Sequence, residues 1–131
     1  MNTNIIVNLQ VEGFHNWPDA PSEVAFLRAP HRHIFHICCK KHVTHNDRDI
    51  EIILFKRKVL KYLLDKYLLA GIDVNVCNFN TMSCEMIATE LTNQFNLEYC
   101  SVLEDGENGA EVMHDTPYTG PIQYKHYSIT Y

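Results

Sequence analysis

The chain has 131 residues, 46% of them apolar, and a net charge of −5 with neutral histidines. That length predicts one domain, and the apolar share excludes general disorder. The acidic balance argues against nucleic-acid binding, which needs clustered Lys and Arg.

The chain starts with no basic leader and has no apolar run near 18 residues, so no signal peptide and no membrane span are expected. Its five cysteines are an odd number without a C-x-x-C pair, the pattern of reduced, mostly buried thiols in a cytoplasmic protein.

Residues 4–11 alternate as a half-buried antiparallel strand does. Ile5, Val7, Leu9 and Val11 share one face, and Asn4, Asn8 and Gln10 lie on the other. Gly13 loosens its end, where Phe14-His15-Asn16-Trp17 follow. Trp17, the single tryptophan, either stacks on a planar ligand or packs at a rim. Pro18 and Pro21 bound a loop, and Val24 to Arg28 forms a short helical turn that ends before Pro30.

A second strand covers 31–39 and opens with His31-Arg32-His33. Strand residues two apart point to one face about 7 Å apart, so His31 and His33 can approach one ion together. If the first strand pairs with this one, His15 joins them. Three histidines and an open fourth position form a catalytic zinc pattern. An H-x-H pair alone is a weak signal. Arg32 points away from the pair and either forms a surface or interface salt bridge or contacts a ligand phosphate. His36 lies on the opposite face.

Residues 46–49 form a turn. A helix over 53–69 follows, carrying Leu54, Phe55, Val59, Leu60, Tyr62, Leu63 and Tyr67 at helical spacing, and Gly71 stops it. Lys56, Arg57, Lys58 and Lys61 form a solvated basic face. Residues 72–80 are a connector with short extended character. A second helix over 83–95 has Ser83 as N-cap and Met86, Ile87, Leu91 and Phe95 as its buried stripe. Strands at 97–104 and 110–114 flank a turn marked by Asp105-Gly106 and Asn108-Gly109. Residues 116–131, with two prolines and four tyrosines, form an extended C-terminal arm after a domain over 1–115. The fold class expected is α+β, ββααββ, with a four-stranded antiparallel sheet and both helices on one face.

This order resembles the tunnelling-fold family of 6-pyruvoyl-tetrahydropterin synthase and 6-carboxy-tetrahydropterin synthase over about residues 4–114. Phe14-His15 stands where a family histidine ends the first strand. His31-Arg32-His33-Ile34-Phe35 stands in place of H-G-H-N-Y. Ile50-Glu51-Ile52-Ile53-Leu54-Phe55-Lys56 is similar to M-x-D-F-x-x-L-K, Thr81-Met82-Ser83-Cys84-Glu85-Met86 loosely resembles N-P-T-x-E-N, and Val102-Leu103-Glu104 matches V-x-E. The resemblance implies zinc on His15, His31 and His33, and Glu104 anchoring a pterin-like ring through paired N–H bonds. It also implies a homo-oligomeric ring with pockets between subunits.

The chain departs from the family pattern in its proton-transfer groups. Leu27 stands near the place of the family's cysteine, and neither Leu64-Asp65-Lys66 nor Ile72-Asp73-Val74 supplies its Asp-His pair. Histidines 36, 42, 45, 114 and 126 are substitutes that nothing in the sequence places. Two functions follow: a binding protein for a purine-, pterin- or nucleotide-like ligand with a zinc site, or an active zinc-dependent lyase of this type.

Overall fold

The computed structural model describes residues 1–69 and 75–114. The expected arm over 116–131, and Gly71 as a helix stop, lie outside the described residues. Five strands form one sheet: β1 (Thr3–His15), β2 (His31–Val43), β3 (Val76–Asn78), β4 (Tyr99–Glu104) and β5 (Asn108–Met113). Their order is β3-β1-β2-β4-β5. Helices α1 (Ile52–Tyr67) and α2 (Cys84–Phe95) lie between them in sequence.

The fold is α+β as expected, but the sheet is neither four-stranded nor wholly antiparallel. β3 lies along β1 in parallel, with Glu12 opposite Val76 and Phe14 opposite Asn78. Three residues are too short for a hydrophobic period to show in the sequence. The strand still has a structural consequence, because it brings the chain from the end of β1 to the start of α2. Phe79 N–H donates to Phe14 O at 2.8 Å and Asn16 N–H to Asn80 O at 2.9 Å.

The alternation in β1 decides the buried face. Val7, Leu9 and Val11 pack with Phe35, Ile37 and Cys39 of β2 and with Cys100 and Val102 of β4. Both helices cover that face. α1 buries Phe55, Val59 and Leu63, and α2 buries Ile87, Ala88 and Leu91. A side chain of this kind gains about 1.5–3 kcal/mol on full burial, which makes the sheet–helix layer the main source of stability.

Two members of the expected stripes are not in the core. Leu54 is 62% exposed and Met86 is 56% exposed. Leu54 falls in the first turn of α1, where Phe55 takes the inward position. Met86 sits in the first turn of α2, with Ile87 and Ala88 inward.

The helix ends follow local chemistry. The Glu51 carboxylate accepts from Ile53 N–H and Leu54 N–H, capping α1 with a charge that also suits the helix dipole. Ser83 Oγ accepts from Met86 N–H at 3.1 Å, as expected of the N-cap. Asn96 ends α2 in the left-handed region (φ 52°). Ser22–Arg28 forms 3-10 turns with a kink at Val24. Among the described residues no helix is long and apolar enough to cross a membrane.

Candidate metal centre

Register assembles the site. The β1–β2 ladder sets His15 directly opposite His31 and Gly13 opposite His33. His15, His31 and His33 therefore share the helix-covered face at one end of the sheet. Their ring centroids are 4.6 Å apart for His15–His31, 5.5 Å for His15–His33 and 5.2 Å for His31–His33. β4 adds a fourth group, because Glu104 pairs with Phe35 across the β2–β4 ladder and so points to the same face.

His15, His31, His33 and Glu104 each offer a ligand atom, and these atoms lie within 4.8 Å of one another. Tetrahedral ligands at 2.0–2.1 Å from zinc sit roughly 3.4 Å apart, so the cluster is close to a coordination shell.

The tautomers are fixed from outside. His15 Nδ1 faces Met82 O at 2.8 Å and His31 Nδ1 faces Ala29 O at 3.0 Å. A carbonyl only accepts, so both Nδ1 atoms donate and carry the proton. His33 Nδ1 donates to Asp105 Oδ2 at 2.8 Å. In the neutral ring this tautomer leaves Nε2 free to bind a cation. Metal-ligating histidines are oriented in this way.

The inner atoms fit a cation. His15 Nε2 and His33 Nε2 are buried without a hydrogen-bond partner. His15 Nε2 is nevertheless 2.8 Å from Glu104 Oε2, and His33 Nε2 is 3.5 Å from Glu104 Oε1. In the neutral rings both members of each pair are lone-pair acceptors, whereas a second ring proton would make the contacts ion pairs with Glu104. Acceptors facing one another in a partly buried site are costly unless a positive charge lies among them. A metal ion there could take one ligand atom from each of His15, His31, His33 and Glu104.

The floor of the site is apolar. Phe35 packs edge-on against His15 at 5.2 Å and His33 at 5.8 Å, and Phe79 against Phe35 at 5.1 Å. Gly13 makes room for this stack, since a Cβ there would meet Phe79 Cε2 at 2.8 Å.

A cleft of about 410 Å³ opens beside the cluster. Its walls include His15, His31 and Glu104 from the cluster, with Trp17, Leu27, Ser83, Cys84, Met86 and Gly109 around them. The loop carrying Trp17 and Leu27 is held by Trp17 N–H to Leu27 O at 2.7 Å and Arg28 Nε to Ala20 O at 2.8 Å. Trp17 is 49% exposed on the rim.

Arg32 is not part of this site. It faces the open side of the sheet, where its Nη1 lies 3.2 Å from Glu12 Oε2, the contact of the salt-bridge alternative. His36 is on that side as well, close to Gly106.

Three contributors escaped the sequence reading. Met82 acts through its carbonyl, which no residue type reveals. Asp105 follows Glu104 but approaches His33 from the other side. Cys84 opens α2 and lines the cleft, and its Sγ donates to Glu104 Oε2 at 3.8 Å. Burial and the Glu104 carboxylate push this thiol up to about 12. No protein-family model and no curated protein matches the chain.

Proposed function

We propose that this chain is a metal-centred binding protein of the pterin-synthase type. Zinc would sit on His15, His31 and His33, and a purine-, pterin- or nucleotide-like ligand would lie in the adjacent cleft. The observation that carries this reading is the trio of histidines anchored through Nδ1, with Nε2 atoms turned on the Glu104 carboxylate. The tunnelling-fold assignment draws support from the sequential order of two long strands, two helices and a hairpin. β3 is an addition to that scheme.

Zinc at this position supplies charge to polarise a ligand oxygen. Glu104 belongs to the ion's surroundings and to the cleft wall together, so its carboxylate either completes the ion's ligand set or holds the N–H edge of a flat heterocycle. Trp17 at the rim offers a face for stacking. With Glu104 on the ion the set is a full tetrahedral one, suited to a binding or sensing role; with Glu104 on the heterocycle a fourth position stays open for a ligand oxygen.

The lyase reading is second, and the cleft wall weighs against it. Leu27 lines the wall and has no proton to exchange. The Cys84 thiol nearby holds its proton at neutral pH. The resemblance carries the proposal of a homo-oligomeric ring, and the free, mostly buried cysteines that of a cytoplasmic setting.

The test is zinc per chain in protein purified without added metal, with His33→Ala alongside. Mass spectrometry of small molecules released from the same preparation identifies the ligand class. About one zinc per chain, lost in the variant, together with a released heterocycle supports the reading. No zinc in wild type refutes the metal centre. Turnover of dihydroneopterin triphosphate by the zinc-loaded protein would move the conclusion to the lyase.

A further inference from the structure

We infer that Asp105 is a positioning residue that makes His33 the strongest of the three metal-binding histidines; this rests on the zinc reading above. The starting point is an asymmetry. His15 and His31 give their Nδ1 protons to neutral carbonyls, those of Met82 and Ala29, whereas His33 gives its proton to a carboxylate. A carboxylate behind an imidazole raises its basicity and fixes its orientation more firmly than an amide oxygen does.

The backbone at Asp105 is arranged for this contact. In an unbroken strand residue 105 would project to the face opposite Glu104, away from the histidines. Asp105 instead has a left-handed φ of 56°, followed by Gly106 at 74°. The turn swings its side chain back towards β2. Oδ2 then accepts from His33 Nδ1 at 2.8 Å, and Oδ1 accepts from Ile34 N–H at 2.9 Å. Asp105 N–H donates to Ile34 O at 2.8 Å, so both backbone groups of Ile34 are held by one residue. Non-glycine residues rarely hold a positive φ, and such positions persist where the surroundings over-determine them.

The consequence is that two consecutive residues bracket one imidazole. Glu104 lies on the Nε2 side of His33 and Asp105 on the Nδ1 side. The β4–β5 turn therefore sets the metal's ligand field as well as reversing the chain.

The test uses Asp105→Asn and Asp105→Gly in the full chain. Both residues accept a left-handed φ, so the turn survives. Asn keeps a neutral acceptor for Nδ1, and Gly removes it. The probes are Zn2+ by competition with a chromophoric chelator, and Co2+ by its visible absorption. The expected result is weaker zinc binding by about 10- to 100-fold, with Gly affected more than Asn. The cobalt band should shift in both variants, which a purely structural role would not produce. Zinc affinity and a cobalt band unchanged from wild type in both variants would overturn the role of Asp105 and leave the zinc reading standing. A wild type that binds neither ion would overturn both.

Discussion

His15 Nε2 and Glu104 Oε2 lie 2.8 Å apart with no hydrogen bond between them. The one proton of a neutral His15 ring is on its far side, donated to Met82 O. With neutral rings the metal-free centre is therefore a local frustration. An ion that binds only the folded chain stabilises it by about 2.7 kcal/mol at a hundredfold excess over Kd. For a chain of this size that is roughly 6–10 °C in Tm. Zinc should raise Tm by that order and a chelator should reverse it, as read by differential scanning fluorimetry. No zinc-dependent shift would count against the site.

Glu104→Gln should separate the two aspects of this contact. The amide NH2 can donate to His15 Nε2, which relieves an acceptor–acceptor contact. In chelator at alkaline pH, where the rings are neutral, the variant is expected to be more stable than wild type by about 1 kcal/mol. In zinc the order should reverse, because a neutral amide is the poorer partner for the ion. Melting curves under the two conditions check both signs, and a variant less stable in chelator would contradict the frustration argument.

Gly13→Ala should destabilise the chain by about 1–3 kcal/mol, the usual cost of overpacking. The new methyl would meet the Phe79 ring at 2.8–3.0 Å, and Phe35 is 3.2 Å away on the other side. Neither ring can retreat, since both are fully buried. Because Phe35 also supports His15 and His33, zinc affinity should fall together with stability. Urea unfolding and zinc titration of the same variant measure the two losses.

The face that carries the histidines was legible in part because strand alternation fixes it. His31 and His33 had to share a face, and His15 joined them only on the condition that the first strand pairs with the second, which the register shows. Glu104 was legible as a strand-end carboxylate and, through its V-x-E match, as a ligand anchor, but not as a neighbour of the histidines. Its contact with the histidines depends on the Phe35–Glu104 register, which no local pattern encodes. Asp105 was legible as a turn residue, but the direction of its side chain follows from a positive φ that the Asp-Gly step permits without announcing its purpose. Met82 contributes a backbone oxygen, and β3 contributes three residues, so neither left a pattern to read. Cys84 was hidden because the sequence aligns the cleft wall with Leu27, on another element.

Away from the site, Glu90 ties the helices together and, as the most buried of the carboxylates held low, should contribute to the acid limb of stability. It accepts from Tyr62 Oη at 2.7 Å and Lys66 Nζ at 2.9 Å, and from Tyr67 Oη as well. Burial alone would raise its pKa, but the hydrogen bonds from Tyr67, Lys66 and Tyr62 outweigh burial and lower it. A carboxyl lowered in the folded state contributes stability that is fully present above its unfolded value, near 4.3. That contribution is lost as pH falls from there through the folded value. Wild-type Tm should therefore drop below about pH 4.5. Glu90→Gln should lower Tm at pH 7 and make the acid limb shallower, because the variant loses no charge at position 90 while Asp49, Glu51 and Asp105, also held low by hydrogen bonds, still contribute. The loss at pH 7 should be about 1.5–3 kcal/mol, the range for hydrogen bonds to a charged group, towards its lower end because Glu90 keeps some solvent contact. Melting curves from pH 3 to 7 for both proteins test this. Parallel curves would show that Glu90 is not one of the groups whose protonation weakens the fold.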